Sequence, residues 1–491
     1  MRIPHREQLQ LDCPPVAQVV LNVNCRDRMI PILRGLQHLF SQSTFLDQAL
    51  HLVSEDVLGD VDPEVGREGM SLWQILVLAA VRQGCNFTYD HLHDLVDNHG
   101  ALRQIMQVGD WEDESFNWQR IRDNICRVRP ETIEKINHLI VAEGHRLEPS
   151  AVESVRGDAF VAETNIHYPT ESGLILDGLK KILLLAPQLA ALLGVMGWRQ
   201  NQSLLNKAKK AARQIGRIKK DANYDDKLPA AYRRLFGVAE IVLPRTQELL
   251  DAVLETLRYD KDGCLSGAPI SLLYQELVYW HSATEHVCHT AWRRVIEGET
   301  VPNVEKLFSL FEPHTELIKR GKAAQPIQFG HSVLVIEDAL GFICHYKIVP
   351  IGVEERTLLV PEMKTLQERV QGRIKSASFD RGFHSESNQK ELAALIAHPC
   401  LPKPGIRQAV EQEQKATVQF RQARRRHSGV EAAIGALQSG NGLAKCRDHS
   451  QIGYDRYIGL GILGRNLIVL GKLLLAREHP DCLAAKSRRA A

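Results

Sequence analysis

Three acidic residues stand where a charged side chain is costly unless a cation lies against it. Asp158 lies within an alternating apolar run that predicts a strand, and Asp380 ends another short strand in the block ASFDRGF. Glu431 lies in SGVEAAIGALQ, a helical stretch in which apolar residues surround it. A carboxylate in such surroundings needs a partner, and strand ends can bring carboxylates together at one edge of a sheet. These three residues are therefore the candidate catalytic group.

Phosphoryl transfer gives a reason for gathering three carboxylates. Two divalent ions about 3.5–4 Å apart need bridging and flanking carboxylates, so that one ion activates a water or a 3′-hydroxyl and the other stabilises the leaving oxygen. Hard oxygen ligands suit Mg²⁺ or Mn²⁺, whereas thiolates do not. Each acid also has an ordinary explanation: Asp158 as a charge that guards a strand edge, Asp380 as a turn residue, and Glu431 as the partner of Arg424 or Arg425.

The net charge is only +2, so the composition alone does not indicate a nucleic-acid-binding protein. Lysine and arginine are instead concentrated at 206–220 and 421–427. Local basic patches of this kind can bind phosphates even when the total charge is balanced, although either run could equally be a solvated helix face.

The ten cysteines are scattered without a CxxC pair, which indicates a reducing cytoplasm. The polar start of the chain does not resemble a secretory signal, and the apolar run at 182–198 is interrupted by Pro187 and Gln188. We therefore predict a buried helix there, no membrane span and a cytoplasmic, nucleoid-associated protein.

Periodicity predicts the order of the elements. Residues 27–150 are predicted to be helical, and two short helices around a glycine-bearing turn, at 71–84 and 86–100, suggest a helix-turn-helix followed by a further helix at 115–125. The next segments predict a strand (153–167), helices to about 298 and a hairpin (326–338 and 341–352). They are followed by a helix (356–373), a short strand that runs into a loop (374–385), a helix (386–398), an extended segment (401–405) and helices (428–438 and 457–477). Without the long helical segment this order is compatible with a mixed sheet flanked by helices.

Several blocks, in order along residues 30–475, resemble bacterial insertion-sequence transposases of the IS-NCY type, which carry a DDE catalytic domain. The blocks are ETNIHYPTES, FEPHTELIKRGK, QFGHSVLVIED, ASFDRGFHS, RRRHSGVEAAIGAL and GYDRYIGLGILGRNLIVLG. The chain differs from the family pattern at Ala159 and Phe160, where the family often has Ser or Thr and then Thr, and at Glu171, where the family commonly has Asp.

The resemblance implies a mixed α/β, RNase H-like catalytic domain whose three acids bind two Mg²⁺ (or Mn²⁺) ions. The family's catalytic acids fall on Asp158, Asp380 and Glu431. The expected domains are an all-α DNA-binding domain of helix-turn-helix type (1–150), the catalytic domain (151–477) with a helical insertion at about 174–322, and a basic C-terminal tail (478–491).

Further polar residues near these blocks are predicted to contact or position DNA. The predicted DNA-binding residues are Arg424, Arg425, Arg426, His427 and Arg381, and the predicted loop or positioning residues are Asn165, His167 and Tyr168. The alternatives are a solvated basic face for the arginines, an ordinary ion pair for Arg381 and a structural histidine at 167.

The resemblance implies an enzyme, a DNA transposase. It would bind the terminal inverted repeats of its element, cleave there in a metal-dependent reaction and join the freed 3′-hydroxyl to target DNA. Because cleavage takes place at both ends of the element, we expect at least a dimer on DNA. Two alternatives stay open: an RNase H-like metal-dependent nuclease without strand transfer, and a catalytically silent DNA-binding protein derived from a transposase.

Overall fold

The computed structural model describes residues 2–8, 11–59, 62, 69–109, 116–221, 223–259, 268–319, 326–405, 412 and 417–480. Ser115, the predicted start of one helix, and residues 481–491 of the predicted basic tail lie outside this part of the chain.

The helices that precede the sheet along the chain lie where apolar residues recur at helical spacing. Ser71 and Gln74 form a capping box at one start, and Pro130 occupies the first turn of another helix. The helices before the sheet are α1 (Met29–Phe40), α2 (Ser43–Leu58), α3 (Leu72–Gly84), α4 (Tyr89–Asn98), α5 (Gly100–Ile105), α6 (Trp118–Ile125) and α7 (Pro130–Leu147). The prediction of helices across 27–150 is confirmed for the residues described.

The remaining elements alternate between strands and helices. They are β1 (Ser154–Glu163), α8 (Glu171–Leu193), α9 (Asn201–Gly216), α10 (Tyr224–Tyr259), α11 (Ala268–Val295), β2 (Glu316–Lys319), β3 (Ile327–Glu337), β4 (Ile343–Ile348), α12 (Glu355–Arg369), β5 (Ser376–Phe379), α13 (Glu386–Leu395), β6 (His398–Cys400), α14 (Val418–His427), α15 (Gly429–Gly435) and α16 (Ser450–Glu478). The predicted hairpin is confirmed as β3 and β4, whereas β2 was not predicted.

The described strands form a six-stranded mixed sheet in the order β2-β3-β1-β5-β6, with β4 also paired to β3. β1 lies antiparallel to β3 and parallel to β5, and β6 continues the parallel side. The protein is thus a mostly helical, mixed α/β protein, which agrees with the mixed sheet flanked by helices that the order of elements allowed.

Alternation along β1 gives the sheet two different faces. Val155 and Ala159 belong to a core shared with the N-terminal helices, α12 and α16. Phe160 and Ala162 point to the other face, where they pack with residues of α15 and α16 such as Ile434. Asp158 has the same parity as Phe160 and therefore lies on this second face.

The chain divides into two compact units, Met1–Asn165 with Gly330–Ala491, and Ile166–Phe329. In the first unit α1, α3 and α7 pack against α16, so the N-terminal helices share a core with the sheet. Residue 150 is therefore not a boundary between compact units. The second unit corresponds closely to the predicted insertion at 174–322 and has its own apolar core, built by α8–α11.

By length and composition α16 could cross a membrane, but 67% of its apolar window is buried inside the protein. Its apolar side chains pack against α1, α3 and α7, which explains why a core helix is apolar on nearly all sides.

His138 of α7 makes the stability of the first compact unit depend on pH. Burial lowers its pKa to about 4, and the nearby charges of Arg369 and His345 act in the same direction. The unfolded chain takes up this proton near pH 6.5, so between about pH 6.5 and 4 the unfolded state binds more protons and the free energy of unfolding falls as the pH falls. One such group contributes a slope of up to about 1.4 kcal/mol per pH unit.

We expect the His138→Gln variant to lose less stability than the wild type between pH 7 and 4.5. Urea unfolding at a series of pH values measures this directly. His51→Gln, at an exposed position of α2, is the matched control and should retain the wild-type slope. An unchanged slope in His138→Gln would contradict the assignment.

Candidate active site

The register between β1 and β5 brings two of the predicted acids together. In this parallel pair Gly157 lies opposite Phe379, and the next residue of each segment is an aspartate, Asp158 and Asp380. Asp380 keeps an extended backbone, with φ −75° and ψ 168°. Adjacent strands lie about 4.8 Å apart, and side chains at the same register point to the same face. Asp158 and Asp380 are therefore neighbours on one face of the sheet.

The Asp380 carboxylate has none of the roles expected of an ordinary turn residue. Asp380 precedes the short 3₁₀ turn Arg381–Phe383, yet its side chain makes no capping hydrogen bond. It is exposed, and within the described ranges it forms no ion pair. Asp158 is half-buried, and its Oδ1 accepts the main-chain N–H of Ala159 at 2.7 Å.

The third acid, Glu431, lies on a helix that covers this same face. Val430 and Ile434 of α15 are buried against Phe160, which alternates onto the face of Asp158. Glu431 itself is exposed on the flank of the helix. The ordinary explanation for Glu431 is absent from the structure, because no ion pair joins it to Arg424 or Arg425 in the part of the chain that is described.

His427 shows which way this flank faces. The backbone is helical at Ser428, between α14 and α15, so His427 and Glu431 lie one turn apart on the same side. His427 is buried, its helix packs against β5, and the Asp380 carboxylate lies close enough to affect the charge of its ring. Burial nevertheless lowers the pKa of His427, which favours a neutral ring. The flank that carries Glu431 therefore faces the end of β5.

Arg156 holds the covering helices against the sheet. Its Nη2 lies 2.6 Å from Glu337 Oε2, across the β1–β3 pair, and its Nη1 donates to the carbonyl of Arg426 at 2.9 Å. Gly429, the first residue of α15, leaves the space that this guanidinium occupies, because a Cβ there would lie 2.2 Å from Arg156 Nη1. Sequence reasoning missed both residues, although alternation does place Arg156 on the face of Asp158.

This donor set fits a hard divalent cation. Three carboxylates from β1, the end of β5 and α15 belong to one face, and two of them, Asp380 and Glu431, are exposed. Neighbouring carboxylates repel each other unless a cation neutralises them, and oxygen-only ligands suit Mg²⁺ or Mn²⁺.

Unpaired cations lie beside these acids. Arg425 and Arg426 are exposed and Arg424 is half-buried, and no acid pairs with any of them among the described residues. The Nε of Arg381 is buried without a hydrogen-bond partner in the same part of the chain. His427 differs from the three arginines because it is buried against β5, so its contact with DNA remains a prediction only.

The predicted positioning residues have local contacts. Asn165 is exposed at the end of the first unit. In the second unit, His167 Nε2 lies 3.5 Å from Asp177 Oδ2, and the Tyr168 ring meets Phe329 edge-on at 5.6 Å. Glu171, where the chain differs from the family pattern, pairs with Arg294 at 2.6 Å. These contacts order the start of α8.

The predicted helix-turn-helix has a surface that does not suit phosphates. Every residue of α3 is buried, so this helix is part of the core. The solvent face of α4 carries Asp90, Asp94 and Asp97 and no lysine or arginine. An acidic recognition helix repels the DNA backbone, so these helices give the DNA-binding prediction for residues 1–150 no electrostatic support.

A second group of possible ligands is explained without a metal. His145 Nε2 donates to Asp338 Oδ2 at 2.9 Å, and Asp338 Oδ1 accepts the main-chain N–H groups of residues 340–342. Cys344 completes the group, but burial raises the pKa of its thiol well above the ordinary value, which disfavours the thiolate that a metal needs. The group joins α7 to the β3–β4 turn.

Comparisons with protein-family models, curated proteins and solved structures found no match for this chain.

Two glycines of α15 test the contact between this helix and Arg156. We expect Gly429→Ala to destabilise the protein by about 1–3 kcal/mol, because the new methyl group displaces a guanidinium that two partners hold. At Gly435 a Cβ would meet nothing within 4 Å, so Gly435→Ala should be neutral or stabilise by up to about 1 kcal/mol. Denaturant unfolding of both variants measures the difference, and equal stabilities would contradict the proposed packing.

Proposed function

We propose that this protein is a DNA transposase of the DDE type, which binds the terminal inverted repeats of a mobile element and cleaves and joins DNA strands with divalent metal ions. The observation that carries the proposal is the register of β1 and β5, which makes Asp158 and Asp380 neighbours on the face that α15 covers with Glu431 on its flank.

The arrangement of the strands supports an RNase H-like catalytic domain. β1 lies centrally, with the antiparallel β3 and β4 on one side and the parallel β5 and β6 on the other. The proposed catalytic acids belong to the central strand, to the end of its parallel neighbour and to a helix on one face. The second compact unit interrupts this order after β1, as an insertion would.

Each proposed active-site residue has a separate role. Asp158, Asp380 and Glu431 would hold two Mg²⁺ or Mn²⁺ ions, which supply activation of the attacking hydroxyl and stabilisation of the leaving oxygen. Arg156 keeps α15 against the sheet, which fixes the backbone of Glu431. The exposed Arg425 would bind a phosphate of the bound strand as a bidentate donor.

One set of carboxylates is sufficient for both reactions. Strand cleavage by water and joining by a 3′-hydroxyl are both in-line displacements at phosphorus, so no covalent enzyme intermediate is required. Two DNA ends need two such sites, which implies at least a dimer on DNA. Cleavage without joining would instead identify a nuclease that shares the same site.

We expect Asp380→Asn to abolish strand cleavage in Mg²⁺ or Mn²⁺ while leaving DNA binding within about two-fold of the wild type. The substitution keeps the shape of the side chain and removes the charge that holds the cation. The measurement uses purified protein and duplexes made from the DNA that flanks its gene.

Glu386→Gln is the matched control, because Glu386 is another exposed acid on the segment that follows β5. It should cleave like the wild type. Cleavage by the Asp380→Asn protein at the wild-type rate would exclude the proposed site.

Replacing Arg424, Arg425 and Arg426 with Gln should weaken binding to end DNA and lower the slope of log K against log salt by up to about 3, since each lost phosphate contact removes about 0.9. The control replaces Lys135, Lys364 and Lys390, exposed lysines of α7, α12 and α13, whose apolar residues belong to the core on the opposite face of the sheet. A slope equal to that of the wild type would count against the arginines.

A further inference from the structure

Residues 201–220 of the second unit combine many cations with no acid. The segment NQSLLNKAKKAARQIGRIKK contains seven basic residues and neither Asp nor Glu, although the whole chain is nearly neutral. The seven are Lys207, Lys209, Lys210, Arg213, Arg217, Lys219 and Lys220. A charge run of this density needs either solvent or an anionic partner.

The helix α9 directs these cations away from the core. Leu204, Ala208, Ala211 and Ile215 recur at helical spacing and are buried in the second unit. Six of the seven cations are exposed: Lys207, Lys210 and Arg213 on the helix, and Arg217, Lys219 and Lys220 just after it. The apolar face is already used for packing, so only the basic face is available to a partner.

These cations lack acidic partners, in contrast to those on the neighbouring helices. None of the seven forms an ion pair within the residues that the structure describes. On α8 and α11 of the same unit, Lys180 pairs with Asp177 at 2.8 Å and Arg293 with Glu299. The unit therefore neutralises basic residues elsewhere and leaves the charge on α9 uncompensated.

The helix α10 extends the basic surface. Arg234 donates from Nη1 to Gln214 Oε1 of α9 at 3.0 Å, and Arg233 is exposed beside it. Arg234 therefore lies next to α9, and no acid pairs with Arg233 in the described part of the chain.

We propose that this basic face of α9 and α10, in the second unit, binds the phosphate backbone of duplex DNA. The inference rests on the proposed function, because it takes DNA as the partner. A helix of 16 residues is about 24 Å long and can reach several phosphates. Cations on a rigid helix contact the backbone without reading base sequence. The amides Asn206 and Gln214 between these cations are engaged within the unit, with Gln202 and Arg234 respectively.

The burial of the apolar face of α9 favours DNA over an anionic membrane surface as the partner. A helix that binds at a membrane surface inserts its apolar face, whereas the apolar residues of α9 are buried in the core of its own unit.

The test uses the full chain with Lys207, Lys210 and Arg213 replaced by Gln, which keeps a good helix-forming residue at each position. At about 0.1 M salt we expect roughly 10- to 100-fold weaker binding to a duplex of unrelated sequence, with a salt slope lower by about 2–3. Cleavage at saturating end DNA should stay at the wild-type rate. The Lys135, Lys364 and Lys390 triple variant is the control of equal charge.

The outcomes separate this inference from the proposed function. If the wild type binds DNA and the α9 variant binds equally well with the same salt slope, the surface is not a DNA contact, while the transposase proposal stands. If the wild type binds no DNA, both proposals fail. A variant that loses binding only to phosphatidylserine-containing vesicles would replace DNA with a membrane surface and overturn the inference.

Discussion

The ion pair between Arg156 and Glu337 is the interaction on which the arrangement of the site depends. Glu337 is only 1% exposed, and burial raises its pKa, so a charged carboxylate persists there only with a cation beside it. Arg156 meets this need from the opposite strand and also binds the Arg426 carbonyl at the end of α14. One guanidinium thus ties together β1, β3 and the helices that cover them. Apolar packing of Val430 and Ile434 with Phe160 holds α15 on the same face of the sheet.

The same face of the sheet therefore carries two kinds of charge. Arg156 and Glu337 satisfy each other and stabilise packing, whereas Asp380 and Glu431 are exposed and make no ion pair in the described ranges. Exposed carboxylates held in place by rigid elements are free to bind a cation, and rigid placement lowers the cost of organising a site. The two compact units divide the charges in a comparable way, with the acids on the first and the basic face of α9 on the second.

Much of this architecture could be predicted locally. Hydrophobic periodicity identified the helices, the β3–β4 hairpin and the strands β1 and β5, because these patterns depend only on neighbouring residues. The short β2 was missed, since four residues carry too little pattern. The helical prediction for 71–100 was also correct, yet the helix-turn-helix interpretation lacks support, because only packing revealed that α3 is buried and that α4 exposes aspartates.

The sequence alone determined that Asp158, Asp380 and Glu431 were unusual, since an acid among apolar residues is costly wherever it lies. It also determined the charge of α9, which requires only a count. Tertiary structure decided the rest. Strand register placed Asp158 beside Asp380. The contact between Arg156 and Gly429 positions the helix that carries Glu431. The packing of the chain buries His427, whereas its neighbours Arg425 and Arg426 are exposed. Register and burial are set by contacts between residues hundreds of positions apart, and no local pattern contains them.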